Sequence, residues 1–204
     1  YSVVVSNLAG YVESLPAVLT VRPIPPCAQV SSGLVSWWKG EKDFGLSDSW
    51  DGNNGSGTLS LVSGKVGSAY ATPFGVPDSP SLRLTNALTI EAWIHPGTLV
   101  TPLSRTIVSK FEGQFVIGTA AINQSFYHLG LTNSGQVLFA LSPTGSPSTN
   151  ANPRLVTLQR VAPNAWSFVV ATYDGTEMRV YINGILAAQT NYAGGIFPGN
   201  AGLG

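Results

Sequence analysis

Charged side chains are scarce in this sequence of 204 residues. Ten basic and ten acidic residues balance to a formal net charge of zero at pH 7. Such a chain has no basic surface that could hold a phosphate backbone, so we expect no nucleic-acid partner. No apolar run approaches the length of about 18 residues that a bilayer-crossing helix needs, so we expect no membrane insertion.

Cysteine is almost absent as well. Cys27 stands alone, which excludes a disulfide within this chain. It lies in residues 22–32, where closely spaced prolines predict a stiff, extended linker. Two interpretations of the thiol stay open: an unpaired linker cysteine, or a partner for a cysteine outside this chain.

Turn-forming residues are abundant, with 23 Gly and 14 Pro. This chemistry predicts many short strands and disfavours long helices. Apolar runs between the turns predict strands over residues 34–38, 88–95, 106–110, 114–118, 127–131, 136–141, 166–173, 177–182 and 185–190. Evenly spaced antiparallel strands in this number predict an all-β sandwich.

The clearest local prediction concerns residues 166–190. Asp174-Gly175 and Asn183-Gly184 each separate two apolar runs. These dipeptides accept the positive φ angles of two-residue hairpin turns. The segment therefore predicts a three-stranded antiparallel meander.

Residues 1–21 predict a separate pair of strands. Two strands alone form no stable core, so this pair is a remnant or leans on something else. The sequence Tyr1-Ser-Val-Val-Val-Ser-Asn-Leu-Ala-Gly10 resembles the last strands of a bacterial immunoglobulin-like domain. In that resemblance Tyr1 takes the place of the tyrosine-corner residue, and Val3 stands where the disulfide cysteine would be. An unrelated hairpin is the alternative.

Residues 33–204 carry a longer set of motifs in a characteristic order. They include Leu34-Val-Ser-Trp-Trp38, Gly64-Lys-Val-Gly67, Val76-Pro-Asp-Ser-Pro-Ser-Leu82, Leu88-Thr-Ile-Glu-Ala-Trp93, Ala171-Thr-Tyr-Asp-Gly175 and Arg179-Val-Tyr-Ile-Asn-Gly184. This segment resembles the laminin-G-like domains of the concanavalin A-like jelly-roll family in large bacterial secreted and surface proteins. The resemblance implies a jelly-roll β-sandwich, an extracellular or cell-surface location, and further domains in the parent chain. It also implies strands beyond Gly204, so we expect this unit to be truncated there.

The acidic residues do not predict catalysis. Related glucanases carry Glu-x-Asp-x-x-Glu on one strand, which sets two carboxylates on one face. No Asp or Glu of this chain fits that spacing, and Glu91 stands alone on its predicted strand. His95 and His128 are isolated, and we expect capping or half-buried rings rather than bases. The chain is predicted not to be an enzyme.

Carboxylate and amide side chains crowd residues 41–54. Calcium takes six to eight oxygen ligands, and the family resemblance implies a structural Ca²⁺ near such a loop, with Asp48 at the family's loop aspartate. The predicted ligands are Glu41, Asp43, Asp48, Asp51 and Asn53. The alternative is ordinary turn chemistry, because Asp and Asn are favoured in turns without any metal.

Sugar recognition needs an exposed aromatic ring beside hydrogen-bonding groups. Trp50, inside the polar loop, is the aromatic residue that packing explains least, and Tyr127 and Tyr192 are further candidates for ligand contact. Adjacent strand residues point to opposite faces, so one of Trp37 and Trp38 is expected in the core and the other near the surface. Trp93 and Trp166 are expected in the core.

These observations predict a non-catalytic module that binds a glycan or an extracellular protein, within a large secreted or cell-surface bacterial protein. Two alternatives stay open. One is a structural spacer repeat in an adhesin-like stalk. The other is an accessory domain of an extracellular enzyme whose catalytic domain lies outside this chain.

Overall fold

The structure, a computed structural model, describes residues 2–18, 32–97, 105–112, 124–146 and 152–204. It divides into two units, Tyr1–Gly33 and Leu34–Gly204. Four features of the sequence lie outside the described residues: Tyr1, Cys27, most of the predicted linker, and the predicted strand over 114–118.

The first unit contains a single hairpin among its described residues. Strands β1 (Val4–Asn7) and β2 (Gly10–Glu13) pair in antiparallel fashion, with Val5 opposite Val12. Their side chains are exposed throughout, as expected for two strands without a core. No strand covers residues 14–18, where Pro16 lacks the N–H that a strand ladder needs. The immunoglobulin-like origin of this hairpin stays a prediction.

The second unit contains ten strands among its described residues. They are β3 (Leu61–Ser63), β4 (Ser68–Tyr70), β5 (Leu88–Ile94), β6 (Arg105–Glu112), β7 (Gln124–Leu131), β8 (Gln136–Leu141), β9 (Arg154–Arg160), β10 (Ser167–Tyr173), β11 (Glu177–Ile182) and β12 (Ile185–Asn191). One antiparallel sheet has the order β12-β11-β10-β5, another has the order β6-β7-β8-β9, and β3 pairs with β4. Within the described ranges, no helix is long and apolar enough to span a membrane.

The core lies between the two four-stranded sheets. In β10, Val169 and Ala171 are fully buried, whereas the alternating residues Phe168 and Val170 are only half-buried. The facing sheet contributes Leu129, which pairs across strands with Phe139 and has no exposed surface. These side chains belong to one hydrophobic cluster. The prediction of an all-β antiparallel sandwich is confirmed.

The two predicted hairpin turns differ from each other. Asn183 and Gly184 have φ angles of 53° and 81°, so this turn has two residues, as predicted. Three residues, 174–176, connect β10 to β11, and among them only Gly175 has a positive φ. Asp174 Oδ1 accepts the N–H of Thr176 at 2.9 Å and of Glu177 at 2.8 Å. These side-chain hydrogen bonds stabilise a three-residue turn in place of the predicted two-residue turn, and Thr176 is the additional residue.

Two other predictions about strands need correction. Residues 34–38 form no strand; instead, the carbonyl of Trp37 accepts the N–H of Ser49 at 2.9 Å. Strand β9 was missed because Thr157 occupies a core position and breaks the apolar alternation. The Thr157 hydroxyl accepts the N–H of Val137 at 3.0 Å, which satisfies both groups inside the core.

A buried ion pair fastens residues 201–204 to the sandwich. Lys110 is 1 % exposed, and its Nζ lies 2.6 Å from Asp78 Oδ1 and donates to the carbonyl of Ala201. The Arg83 guanidinium hydrogen-bonds Asp78 from the solvent side. The hydrogen bond from Arg83 is the largest effect on the pKa of Asp78 and lowers it; burial opposes this shift, and Lys110 lowers the pKa further.

Candidate functional site

The loop over residues 36–55 is organised around the Asp48 carboxylate. Its Oδ1 accepts the backbone N–H of Trp37 at 2.7 Å and of Trp50 at 3.0 Å. Its Oδ2 accepts the N–H of Asp51 at 3.2 Å and of Asn53 at 3.1 Å. Partial burial alone would raise the pKa of Asp48, but the four N–H donors outweigh it and lower that pKa. The carboxylate therefore holds both ends of the loop as a fixed anion.

Two adjacent tryptophans leave this loop in opposite directions. Trp38 packs against the core, its ring meeting Phe74 edge-on at 6.3 Å, and its Nε1 donates to the carbonyl of Asn53 at 2.9 Å. Trp37 is 46 % exposed. The prediction that one of the pair is inward and the other near the surface is confirmed.

Three exposed rings lie on the solvent side of the 36–55 loop. Trp37, Phe44 and Trp50 are 46 %, 41 % and 54 % exposed. The Lys39 ammonium lies 4.5 Å from the ring centre of Trp37 and 4.1 Å from that of Phe44, so it bridges these rings through cation–π contacts. Because Trp37 and Trp50 donate to the same oxygen, their backbone nitrogens lie no more than two hydrogen-bond lengths apart.

The two predicted ligand-contacting tyrosines pack into the protein instead. Tyr127 is 4 % exposed, and its hydroxyl donates to the carbonyl of Leu82 at 3.1 Å. Burial raises its pKa. Tyr192 is half-buried, and its hydroxyl donates to the carbonyl of Gly195 at 2.8 Å. Tyr127 faces the core, so the prediction of a ligand contact is wrong for it. The hydroxyl of Tyr192 has a partner within the protein, and a ligand contact of Tyr192 stays a prediction.

The predicted calcium ligands have other partners in this arrangement. Glu41 Oε2 accepts the N–H of Ser68 at 3.3 Å, and the Asn53 amide donates to the hydroxyls of Ser36 and Ser81. Asp43 and Asp51 are exposed. In the part of the chain that the structure describes, no three His, Cys, Asp or Glu side chains are grouped to hold a metal ion. The predicted ligands are not gathered around one point in this arrangement, and the calcium site stays a prediction.

The sequence of residues 66–203 matches the Laminin_G_3 family, described as the concanavalin A-like lectin/glucanases superfamily. This chain belongs to that superfamily. The match covers most of the unit Leu34–Gly204 and agrees with its two-sheet architecture. A search among curated proteins gave no match.

Solved structures are similar to this chain to different degrees. Domain 4 of AbnA, a GH43 extracellular arabinanase from Geobacillus stearothermophilus solved with arabinotriose, is 19 % identical with a TM-score of 0.53, and the alignment covers 79 % of this chain and 77 % of that one. A heptameric SAP-like pentraxin from Limulus polyphemus is 19 % identical, with a TM-score of 0.38 and coverages of 63 % and 53 %. The CBM40 of the Ruminococcus gnavus IT-sialidase, bound to α2,3-sialyllactose, is 17 % identical, with a TM-score of 0.40 and coverages of 63 % and 71 %. The similarity to the arabinanase domain concerns the fold.

One exposed aromatic residue of the concanavalin A-like unit was assigned to the core by sequence. Trp93 is 49 % exposed, so that prediction is wrong. The strand alternation contains the correct signal, because Leu88, Ile90, Ala92 and Ile94 share one face and place Trp93 on the other. Trp166 is partly buried beside His95, with ring centres 5.1 Å apart.

Three aspartates and one histidine of the concanavalin A-like unit have lowered pKa values. Asp48, Asp78 and Asp174 all have lowered pKa values because they accept several hydrogen bonds or face cations. A general acid needs the opposite shift, since it must keep its proton near neutral pH. His128 is half-buried, and burial first and the Arg154 charge second lower its pKa, which favours the neutral form of the ring.

Proposed function

We propose that the unit Leu34–Gly204 is a non-catalytic carbohydrate-binding module of a secreted or cell-surface bacterial protein, with Trp37 and Trp50 as its stacking residues. The observation that supports this most is that both tryptophans are exposed and that their backbone N–H groups bond the same carboxylate oxygen of Asp48. A water-soluble domain gains little stability from exposed indoles. Sugar C–H faces, in contrast, bind well to aromatic faces held in place before binding.

The loop also supplies the polar groups that sugar hydroxyls need. Asp51 is exposed beside Trp50 in sequence, and Lys39 lies against Trp37. Because Asp48 fixes the backbone at both tryptophans, the backbone of the loop loses little conformational entropy when a sugar binds. Exposed rings near an acid and an ammonium suit a neutral saccharide.

The arabinanase domain adds support from outside this chain. It shares the fold and was solved with arabinotriose bound. It is also one domain of an extracellular enzyme, which favours one alternative: an accessory module whose catalytic domain lies elsewhere in the parent protein. The lowered carboxylate pKa values described above support a module without catalytic activity of its own.

Calorimetric titration against arabinotriose, xylotriose, cellotriose and mannotriose tests this proposal. We expect Trp37→Ala and Trp50→Ala each to weaken binding at least tenfold while leaving the melting temperature nearly unchanged, because both rings are exposed. Tyr11→Ala is the matched control, since Tyr11 is an exposed aromatic residue of the other unit. Binding that survives both tryptophan variants would refute this platform. Absence of binding to every sugar would favour the structural spacer.

A further inference from the structure

A second aromatic pair lies on the outward face of the β12-β11-β10-β5 sheet, with Trp93 exposed and Phe168 half-buried. Trp93 in β5 stands directly opposite Phe168 in β10, and their ring centres are 5.2 Å apart with planes inclined by 36°. Both residues alternate with core residues of their strands, so their rings point away from the core. Trp93 retains 49 % of its surface in solvent. An indole left in this position needs an explanation other than core packing.

Polar groups of both signs flank this pair. Glu91 lies two residues before Trp93 on the same strand and therefore on the same face, and it is exposed. Lys65, in the turn between β3 and β4, places its Nζ 5.3 Å from the ring centre of Trp93. Among the residues that the structure describes, neither Glu91 nor Lys65 forms a salt bridge. We call these residues the Trp93 face: Trp93, Phe168, Glu91 and Lys65.

The composition of the Trp93 face selects among classes of ligand. Glu91 stands opposite Val170, and Thr89 and Thr172 continue the face along the strands. On the side of β11 and β12 the outward face continues with Tyr181, opposite Val170, and with Leu186, opposite Tyr181. The charged groups of the Trp93 face therefore lie close to Trp93 itself. A carboxylate and an ammonium on either side of a ring disfavour a ligand of either charge, and both can hydrogen-bond neutral hydroxyls.

We propose that the Trp93 face is a second saccharide-binding position, taking a neutral sugar that stacks on Trp93 and bonds Glu91 and Lys65 through its hydroxyls. This proposal rests on the proposed function of the unit. An exposed cation–π contact such as that of Lys65 with Trp93 is weak, so a sugar displaces the ammonium from the ring at little cost. The displaced ammonium can then donate hydrogen bonds to hydroxyl groups at the edge of the sugar ring.

Fluorine NMR of protein labelled with 5-fluorotryptophan separates this position from the first one. The five tryptophan signals are assigned with single Trp→Phe variants and followed during titration with arabinotriose, xylotriose, cellotriose and mannotriose. We expect the Trp93 signal to shift saturably with at least one trisaccharide, and to do so still when Trp37 and Trp50 are both alanine. Glu91→Gln and Lys65→Met should each weaken that response about tenfold, whereas Arg160→Met, an exposed cation at the end of β9, should not.

Each other outcome has a distinct meaning. Shifts at Trp37 or Trp50 with a silent Trp93 would overturn the second position and leave the proposed function in place. Shifts at Trp93 alone would uphold the second position and refute the Trp37 and Trp50 platform. Silence of all five signals with every sugar would refute both. Self-association in sedimentation that Trp93→Ala removes would assign the face to a contact between copies of the chain and overturn the proposal.

Discussion

Trp37 and Trp50 donate their backbone N–H groups to one and the same oxygen of the Asp48 side chain. Two further backbone N–H groups occupy the other oxygen, so the carboxylate has no unused acceptor position directed at the loop. The backbone positions of Trp37 and Trp50 thus depend on the anion of Asp48.

Asp48→Asn should therefore destabilise the concanavalin A-like unit. The amide replaces one acceptor oxygen by an N–H₂ donor facing two backbone N–H groups, and we expect a loss of about 1–3 kcal/mol in the free energy of unfolding. Urea unfolding followed by tryptophan fluorescence measures it. Asp51→Asn is the control, because Asp51 is exposed and should change stability by less than about 0.5 kcal/mol. Equal effects of the two variants would contradict the role assigned to Asp48.

The calcium prediction is tested by the same variant. Thermal melts of wild type and Asp48→Asn are compared in millimolar Ca²⁺ and in EDTA. From the hydrogen bonds of Asp48 we expect the variant to lose stability in both solutions. A bound ion would instead raise the wild-type melting temperature in Ca²⁺ alone. A rise that Asp48→Asn abolishes would support the predicted site and require the loop to rearrange around the ion.

Lys110→Met should cost about 3 kcal/mol of unfolding free energy. It keeps most of the apolar stem but leaves the Ala201 carbonyl without its ammonium donor and Asp78 with Arg83 alone. Arg83→Met is the comparison, since Arg83 is 40 % exposed and surface pairs are worth about 0–1 kcal/mol. Denaturant unfolding of both variants decides the matter, and a smaller loss for Lys110→Met than for Arg83→Met would be inconsistent with the buried pair.

Stability should fall in acid. The pKa of Asp78 is lowered in the folded state, chiefly by Arg83, so below the ordinary aspartate value of about 3.9 the unfolded chain binds a proton more readily than the folded one. Its contribution is complete above that value and is lost as the pH falls toward the folded pKa. We expect unfolding free energy to decline from about pH 5 to about pH 3, and less steeply in Asp78→Asn. Parallel pH profiles for the two proteins would show that Asp78 is not responsible.

Asn183→Ala should weaken the hairpin between β11 and β12. Asn183 has a φ of 53°, a conformation that costs alanine about 1–2 kcal/mol, and its Oδ1 accepts the N–H of Phe168 at 2.9 Å. Asn183→Gly removes the hydrogen bond but tolerates the backbone conformation. We therefore expect a larger loss of melting temperature for alanine than for glycine, measured by circular dichroism, and the reverse order would show that φ is not limiting.

Short-range chemistry made much of the sandwich predictable. The Asn183-Gly184 turn and the alternation in β10 and β11 are encoded in neighbouring residues, and the structure has them as predicted. Strand β9 was missed because Thr157 is polar at a core position, and only its bond to Val137, distant in sequence, explains that choice. The turn at Asp174 was also not fully predictable. The Asp174-Gly175 dipeptide predicts a two-residue turn, whereas the Asp174 side chain accepts the N–H of Glu177 and the turn has three residues.

The candidate site was predictable in its location but not in its contacts. Trp50 lies exposed in the polar loop, where its sequence context placed it. The cluster of acidic residues predicts a metal site. In the structure, however, the carboxylate oxygens of Asp48 accept backbone N–H groups, and the spacing of residues in the sequence does not predict those hydrogen bonds. Trp93 was misassigned because its strand is apolar as a whole, although its own alternation pointed outward.

Strand β5 pairs with β10 from Leu88 opposite Tyr173 to Ile94 opposite Ser167. Residues 95–166 separate the two strands along the chain, so β5 is synthesised well before β10, with which it pairs among the described strands of that sheet. Closing so long a loop costs entropy that is recovered only once the strands pair, whereas β10, β11 and β12 join through short turns. The meander of β10, β11 and β12 is therefore expected to form first, and β5 is expected to pair with the edge of β10 afterwards. A strand from the earlier part of the unit thus depends on the last third of the unit for its place in the sheet.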